Sequence, residues 1–171
     1  MDIQEIKKDI SNKWYDIALN KCDSMLRNFP ESKPDILRIR AHAYSMMGEY
    51  ELALKDRESV LNIPGNCTIK DYYSAADTAL KTGNFHQAVN WFHEVLHLGD
   101  ELNNHWFDSA SYFLLSYTYM ELKEYDMAIE NLNNAVTIEE NCTMPIPEQG
   151  MCDHNKLREE ILRRRGLNAR R

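Results

Sequence analysis

Gly48-Glu49-Tyr50-Glu51-Leu52-Ala53 sets the frame in which the rest of the chain is read. Its order is a small or polar residue, any residue, an aromatic, two further residues and an alanine. The same order returns at Lys13-Trp-Tyr-Asp-Ile-Ala18, Gly83-Asn-Phe-His-Gln-Ala88 and Lys123-Glu-Tyr-Asp-Met-Ala128. The four alanines are spaced by 35, 35 and 40 residues. Self-similarity at such a period marks a repeat architecture, in which each unit buries its apolar face by stacking on the next.

Working outward, each motif begins the second helix of a hairpin. The aromatic opens that helix, and the alanine three residues on is small enough for two helices to approach closely. Apolar residues then follow at helical spacing: Met25 and Leu26; Val60 and Leu61; Phe92, Val95 and Leu96; Leu132, Ala135 and Val136. They lay a stripe on one helix face. Upstream of the third motif, Tyr72, Ala75, Ala76 and Ala79 repeat at i, i+3, i+4, i+7, and Tyr112, Leu115, Ser116 and Tyr119 do so before the fourth. Pro30 and the Ile63-Pro64-Gly65 turn stop helices where a unit ends. The spacing predicts helix pairs over 1–12 and 15–28, 34–47 and 50–62, 69–82 and 85–98, and 107–122 and 125–139.

On these residues the chain resembles the tetratricopeptide repeats, a family whose unit is a pair of antiparallel helices. The resemblance covers residues 1–140 and implies an all-α, right-handed superhelical solenoid of about four hairpins. Lys13 and Lys123 replace the usual hairpin glycine, Arg57 and Cys22 stand where the family often has an aromatic, and extra residues near Gly99–His105 lengthen one connection. The pentatricopeptide repeats, which read RNA, share the period. Both the glycine-aromatic-alanine turn and the acidic charge argue against them.

Residues 141–171 form a second region. Pro145 and Pro147 keep Thr143–Gly150 from being helix, and Asp153 is placed to cap a short helix over 154–166. Leu157, Ile161 and Leu162 give that helix an apolar stripe, as a cap on the last repeat requires. The net charge is −7. Residues 156–171 hold seven basic and two acidic side chains, +5, which leaves −12 for residues 1–155. An acidic body repels nucleic acid and attracts basic partners. The chain has no signal-like start and no membrane-length apolar run, so a cytoplasmic location with four reduced cysteines is expected.

The chemical motifs are few. His93-Glu94-Val95-Leu96-His97 fits the H-E-x-x-H pattern of a zinc hydrolase, in which two histidines one turn apart bind metal and Glu activates water. Yet Val95 and Leu96 belong to the core stripe, which turns His93 and His97 outward and leaves the third ligand unassigned. The six glycines form no phosphate loop, and no G-x-S-x-G elbow occurs. Neither a cofactor, a metal nor an enzymatic activity is expected.

The resemblance also implies a site. In the family the first helix of each pair lines the concave groove. Carried across, repeat two offers Asp35, Arg38, His42, Ser45 and Met46, and repeat three Lys70, Tyr73, Asp77, Leu80 and Lys81. Repeat four offers Ala110, Phe113, Tyr117, Met120 and Glu121. Phe113, Tyr117 and Met120 share one face while Tyr112, Leu115 and Tyr119 occupy another, so this helix is apolar on two sides and something must cover it. The cover is the C-terminal helix, a neighbouring loop or a partner, and the partner is the favoured reading. The expected function is a non-catalytic module that binds a partner protein or peptide, with Tyr73, Leu80, Phe113, Tyr117 and Met120 as apolar contacts and Arg38, His42 and Asp77 orienting it. Two sharper forms are a bacterial immunity protein that neutralises a basic toxin and a chaperone of a secreted effector. No nucleic acid or membrane is expected as a partner.

Overall fold

Four turns of the chain share one backbone conformation. Lys13, Gly48, Gly83 and Lys123 all take positive φ, at 62°, 83°, 75° and 66°. The residues that follow them, Trp14, Glu49, Asn84 and Glu124, cluster at φ between −80° and −89° and ψ between 60° and 66°. A left-handed residue of this kind ends one helix and redirects the chain into the next. The lysines therefore adopt the glycine geometry at a steric cost that glycine avoids.

In the computed structural model these turns join α1 (Ile3–Ser11) to α2 (Tyr15–Asn28), α3 (Lys33–Met47) to α4 (Tyr50–Leu61), α5 (Ile69–Lys81) to α6 (Phe85–Leu102), and α7 (Asp108–Glu121) to α8 (Tyr125–Ile138). A 3-10 turn at Pro30–Ser32 precedes α3, and Pro34 sits in that helix's first turn, where its missing N–H costs nothing. A two-stranded antiparallel hairpin, β1 (Thr143–Ile146) and β2 (Gly150–Asp153), leads into α9 (His154–Asn168). The structure describes residues 2–168, and Leu167 and Asn168 by their backbone alone.

The hairpin is the element that the prolines concealed. Both exclude helix, but Pro145 is tolerated in a two-stranded ribbon, pairing with Met151, because an edge strand can spare one donor. The expected helix over 154–166 is present and two residues longer.

Packing groups the chain into two compact units, residues 1–78 and 79–171, with the boundary inside α5. In the first, α1 packs on α2, α2 on α3 and α3 on α4. Ile6, Ile10, Ala18, Cys22, Met25, Ile36, Ile39 and Ala43 form its core. Ile6 and Ile36 are wholly buried, each contributing about 2 kcal/mol relative to exposure. Arg40 crosses this unit to hold Asp56 by two bonds, Nε–Oδ2 at 2.8 Å and Nη2–Oδ1 at 2.7 Å, and Asp23 at 2.6 Å.

In the second unit α6 packs on α7, α7 on α8 and α8 on α9, and β1 and α9 both reach α7. Residues 141–168 thus pack with the last repeat, so the sequence division at 140/141 follows repeat content and does not coincide with the boundary between compact units. The lengthened connection lies here. Helix α6 runs to Leu102, four residues past its expected end, and Asn103 closes it in a left-handed conformation. The chain then folds back on Gly99, where a Cβ would meet the Asn104 carbonyl oxygen at 3.1 Å and Asp108 Oδ1 at 3.2 Å.

Candidate functional site

The first unit holds a cleft of about 700 Å³. Its walls come from the first helix of each of the first three hairpins: Ile3, Lys7, Ile10 and Ser11 from α1, Asp35, Arg38, Ile39 and His42 from α3, and Lys70, Asp71 and Ser74 from α5. Arg57 of α4 and Thr68, just before α5, complete it. The periodicity explains the division of labour. Along α3, Ile36 and Ala43 turn into the core and Ile39 lies between core and cleft, which leaves Arg38 and His42, one turn apart, on the cleft side.

Arg38 is fixed by its neighbours. Its Nε donates to Asp71 Oδ1 at 2.8 Å and Nη2 to Asp71 Oδ2 at 2.9 Å, while Nη1 reaches Asp35 at 2.8 Å. Nη2 also donates to the Asn66 carbonyl. Asp71 is itself built into the start of α5. It accepts from the Thr68 amide at 2.9 Å and hydroxyl at 2.8 Å, and its own amide donates to Thr68 Oγ1 at 3.3 Å. This reciprocal box satisfies amides that the helix start would leave unpaired. Burial alone would raise the Asp71 pKa, but the Arg38 and Thr68 bonds outweigh it, and the carboxyl sits below its ordinary value.

The remaining charges are mostly positive. Four cationic side chains, Lys7, Arg38, Arg57 and Lys70, face two carboxylates, Asp35 and Asp71. Both carboxylates are taken by Arg38. Lys7 and Lys70 are exposed and make no ion pair among the described residues. Arg57 is half-buried; its Nη2 donates to Ser45 Oγ at 3.2 Å, but its Nε is buried without a hydrogen-bond partner among the described residues. Burial therefore lowers the Arg57 pKa, against the pull of Asp77 and Asp71. His42 is lowered as well, first by desolvation on the cleft wall and then by the charges of Arg57 and Lys70.

Of the residues expected to contact a partner, Arg38 and His42 line this cleft. Tyr73 and Asp77 lie on α5 in the same unit, half-buried and outside the lining, and burial pushes the Tyr73 phenol up to about 12. Leu80 is buried in the second unit. The largest departure is at α7. Phe113 and Met120 are wholly buried and Tyr117 nearly so, which corrects the expectation of an open apolar surface there. The second apolar side of α7 is met by β1 and α9, whose Ile146, Leu157 and Ile161 are buried in the same unit. Glu121 of α7 also receives Arg164 of α9 at 2.9 Å. The chain thus supplies its own cover.

Lys7 and Arg57 were not among the expected contacts. Arg57 carried the signal, since a long cation replaces an aromatic at a position that faces the neighbouring first helices.

His93 and His97 lie exposed on α6. His93 Nε2 is 3.1 Å from the Tyr119 hydroxyl, and His97 Nε2 is 3.7 Å from Glu101. Among the described residues no group of three His, Cys, Asp or Glu side chains is placed to hold a metal ion. The four cysteines are free thiols. No described helix is long and apolar enough to cross a membrane.

Hairpins repeating at intervals of 35, 35 and 40 residues, with a cleft walled by the first helices of three of them, define a helical-repeat fold. Residues 109–142 match the family model described as Tetratricopeptide repeat. Solved structures agree. A crystal structure of MamA superposes with a TM-score of 0.71 at 15% identity, covering 100% of this chain and 99% of that one. YrrB, described as a TPR protein with an unusual peptide-binding site, matches with a TM-score of 0.68 at 15% identity over 81% of this chain and 67% of that one. The TPR-like repeats of a putative kinesin light chain from Podosopora anserina give 0.69 at 17% identity over 98% and 85%. At these identities the likeness is one of fold. No curated protein matches the sequence.

Proposed function

We propose that this protein is a non-catalytic interaction module that holds a segment of a partner protein in the cleft between α1, α3 and α5. The observation that carries the reading is the cleft itself: a concavity of about 700 Å³ with Ile3, Ile10 and Ile39 for apolar contact and Arg38, His42 and Lys70 for orientation. Such a mixture of apolar area and a few fixed polar groups suits peptide recognition. Arg38, held on three sides, is pre-organised, so little ordering entropy is lost when a segment docks beside it. The fold is that of interaction scaffolds, and the peptide-binding site of YrrB is a precedent on the same fold.

An immunity protein against a basic toxin, or a chaperone of a secreted effector, would be specialised forms of this module. The acidic charge of residues 1–155 supports the first of these only on a face other than the cleft, whose lining is positive.

A photo-crosslinking residue placed at His42, inside the cleft, and separately at Lys55, exposed on α4 outside its lining, tests the reading in the native source. A stoichiometric adduct from position 42 with none from position 55 is the expected result. Adducts from position 55 alone would place the partner elsewhere and defeat it.

A further inference from the structure

The negative charge of the chain is unevenly placed. Residues 1–81 hold thirteen acidic side chains and twelve Lys or Arg, −1, whereas residues 82–155 hold twelve acidic side chains and one lysine, Lys123, for −11. Within the second unit the two ends of α7 and α8 differ. Where α7 stops and α8 starts, the chain answers its own carboxylates: Arg164 of α9 bonds Glu121 at 2.9 Å, and Arg165 bonds Asp126 at 2.7 Å. At the opposite end, α6 and α8 both finish beside the start of α7. Gly99 lies beside Asp108 there, and the Ser109 hydroxyl donates to Glu139 at 3.0 Å. Five carboxylates gather at this end, Asp100, Glu101, Asp108, Glu139 and Glu140. Among the described residues, only His97 and His105 come within ion-pair distance of any of them.

This placement works against the helices. A helix C-terminus carries partial negative charge and is stabilised by cations, yet neither α6 nor α8 has a basic residue in its last turn. Asp100 and Glu101 stand in the last turn of α6 instead, and Glu139 and Glu140 directly follow α8. The same end displays large apolar side chains. Trp106 is 85% exposed, Leu102 66% and Ile138 52%. The loop that carries Trp106 is held in place, since the Asn104 amide donates to the Gly99 carbonyl at 2.9 Å. An exposed indole attracts a cation and the apolar stem behind it, and carboxylates close by fix the cation's head.

We infer that this end of the second unit, made of the α6–α7 loop and the C-terminal end of α8, docks a basic segment of a partner protein. Its Lys or Arg heads meet Glu101, Glu139 and Glu140 while their stems lie on Trp106 and Leu102. Negative charge at two helix ends, which destabilises the free chain, then becomes the attraction that brings the partner in and speeds its capture. The surface belongs to the second unit and the cleft to the first, so this inference stands apart from the peptide-binding reading above.

Degenerate peptide pools of three charge classes, Arg/Lys-Leu, Asp/Glu-Leu and Ser-Leu, provide the test. Fluorescence anisotropy reads affinity, and the Trp106 indole N–H NMR signal, assigned through Trp106→Phe, reads location. The basic pool is expected to bind, to move that signal and to weaken as salt is added. The double variant Glu139→Lys/Glu140→Lys is expected to weaken binding at least about tenfold. It should melt no lower than the parent, because lysine suits a helix C-terminus. Glu31→Lys/Glu51→Lys makes the same charge change on exposed residues of the first unit. It should leave affinity within about twofold, since an exposed charge that makes no contact contributes little. Equal weakening by the two double variants would reduce the effect to net charge and overturn the inference. So would a Trp106 signal that the basic pool leaves unmoved, or tighter binding of the acidic or neutral pool. Concentration-dependent sedimentation of the protein alone, abolished by Trp106→Ala, would make the occupant a second copy and also overturn it.

Discussion

Helices α3 and α7 are each the first helix of a hairpin, and they meet opposite fates. Helix α3 buries Ile36, Ile39 and Ala43 and leaves Arg38 and His42 on an open cleft. Helix α7 is buried without a break from Phe113 to Met120, because β1 and α9 close over its second apolar side. The two start from the same repeat geometry, so composition makes the difference. A first helix with charge on its outer side leaves a ligand site, whereas one that is apolar on both sides must be given a cover. The helical-repeat scaffold fixes the position of each helix but leaves its exposure to the side chains.

The largest expected effect would break the comparison if it failed. Leu157→Ala and Ile161→Ala remove wholly buried contacts from α9 and should each cost about 3 kcal/mol in urea unfolding, with gain of dye-binding apolar surface as α7 is uncovered. Lys7→Ala or Lys70→Ala, exposed in the cleft, should stay within about 0.5 kcal/mol of the parent. Equal costs in the two regions would mean that α7 is not covered as described.

Next in size is the contrast between two arginines two residues apart. Arg40 serves Asp56, which is 7% exposed, and Arg40→Ala should cost about 3 kcal/mol by leaving a buried carboxylate unpaired. Arg38→Ala, on the cleft rim, should cost about 1 kcal/mol by the same unfolding measurement. Reversal of that order would identify Arg38 as a structural residue.

A smaller effect separates the regions by pH. Hydrogen bonds from Arg163 and Arg164 hold the Glu160 carboxyl at about 2, well under its ordinary 4.5. A depressed carboxyl stabilises the fold above its unfolded value and loses that contribution as pH falls from 4.5 toward about 2. The Glu160→Gln variant should therefore lose less stability than the parent across that window, as read by melting temperature against pH.

The smallest effect sharpens the account of the turns. Lys13→Gly in the first unit and Lys123→Gly in the second should each gain about 0.5–1 kcal/mol, since both lysines hold a left-handed backbone. The same substitution at Ser45 inside α3 should lose about that much.

The helices were legible because the turn motif and the stripe that follows it are local patterns. Lys13 and Lys123 did not hide the turns, since the aromatic and alanine around them kept the register. The β-hairpin was not legible. Pro145 interrupts one four-residue strand and Pro147 follows it in the turn, and only Ile146 and Cys152 of the strands, with Cys142 just before them, turn inward, too few for a visible alternation. At the site, Arg38 and His42 follow from helix geometry. The burial of Phe113, Tyr117 and Met120 does not, because a helix apolar on two sides looks the same whether its cover is a partner or a later stretch of chain. The cationic lining was legible only in part: Lys70 falls at a groove position and Arg57 replaces an aromatic, but that they gather with Lys7, 50 residues before Arg57, shows only when three helices are stacked.

The extended connection between α6 and α7 carries one more consequence. Five residues beyond the usual period fit between the third and fourth alanines because the returning loop lies against the bare Cα of Gly99. A repeat array is commonly thought to tolerate added length wherever a loop faces water. Here the added length is stowed against Gly99, where a methyl group would lie 3.1 Å from the Asn104 carbonyl oxygen and the loop would have to give by a few tenths of an ångström to admit it. Gly99 thus ties the path of the loop to one position on α6, while the loop displays Trp106 to solvent.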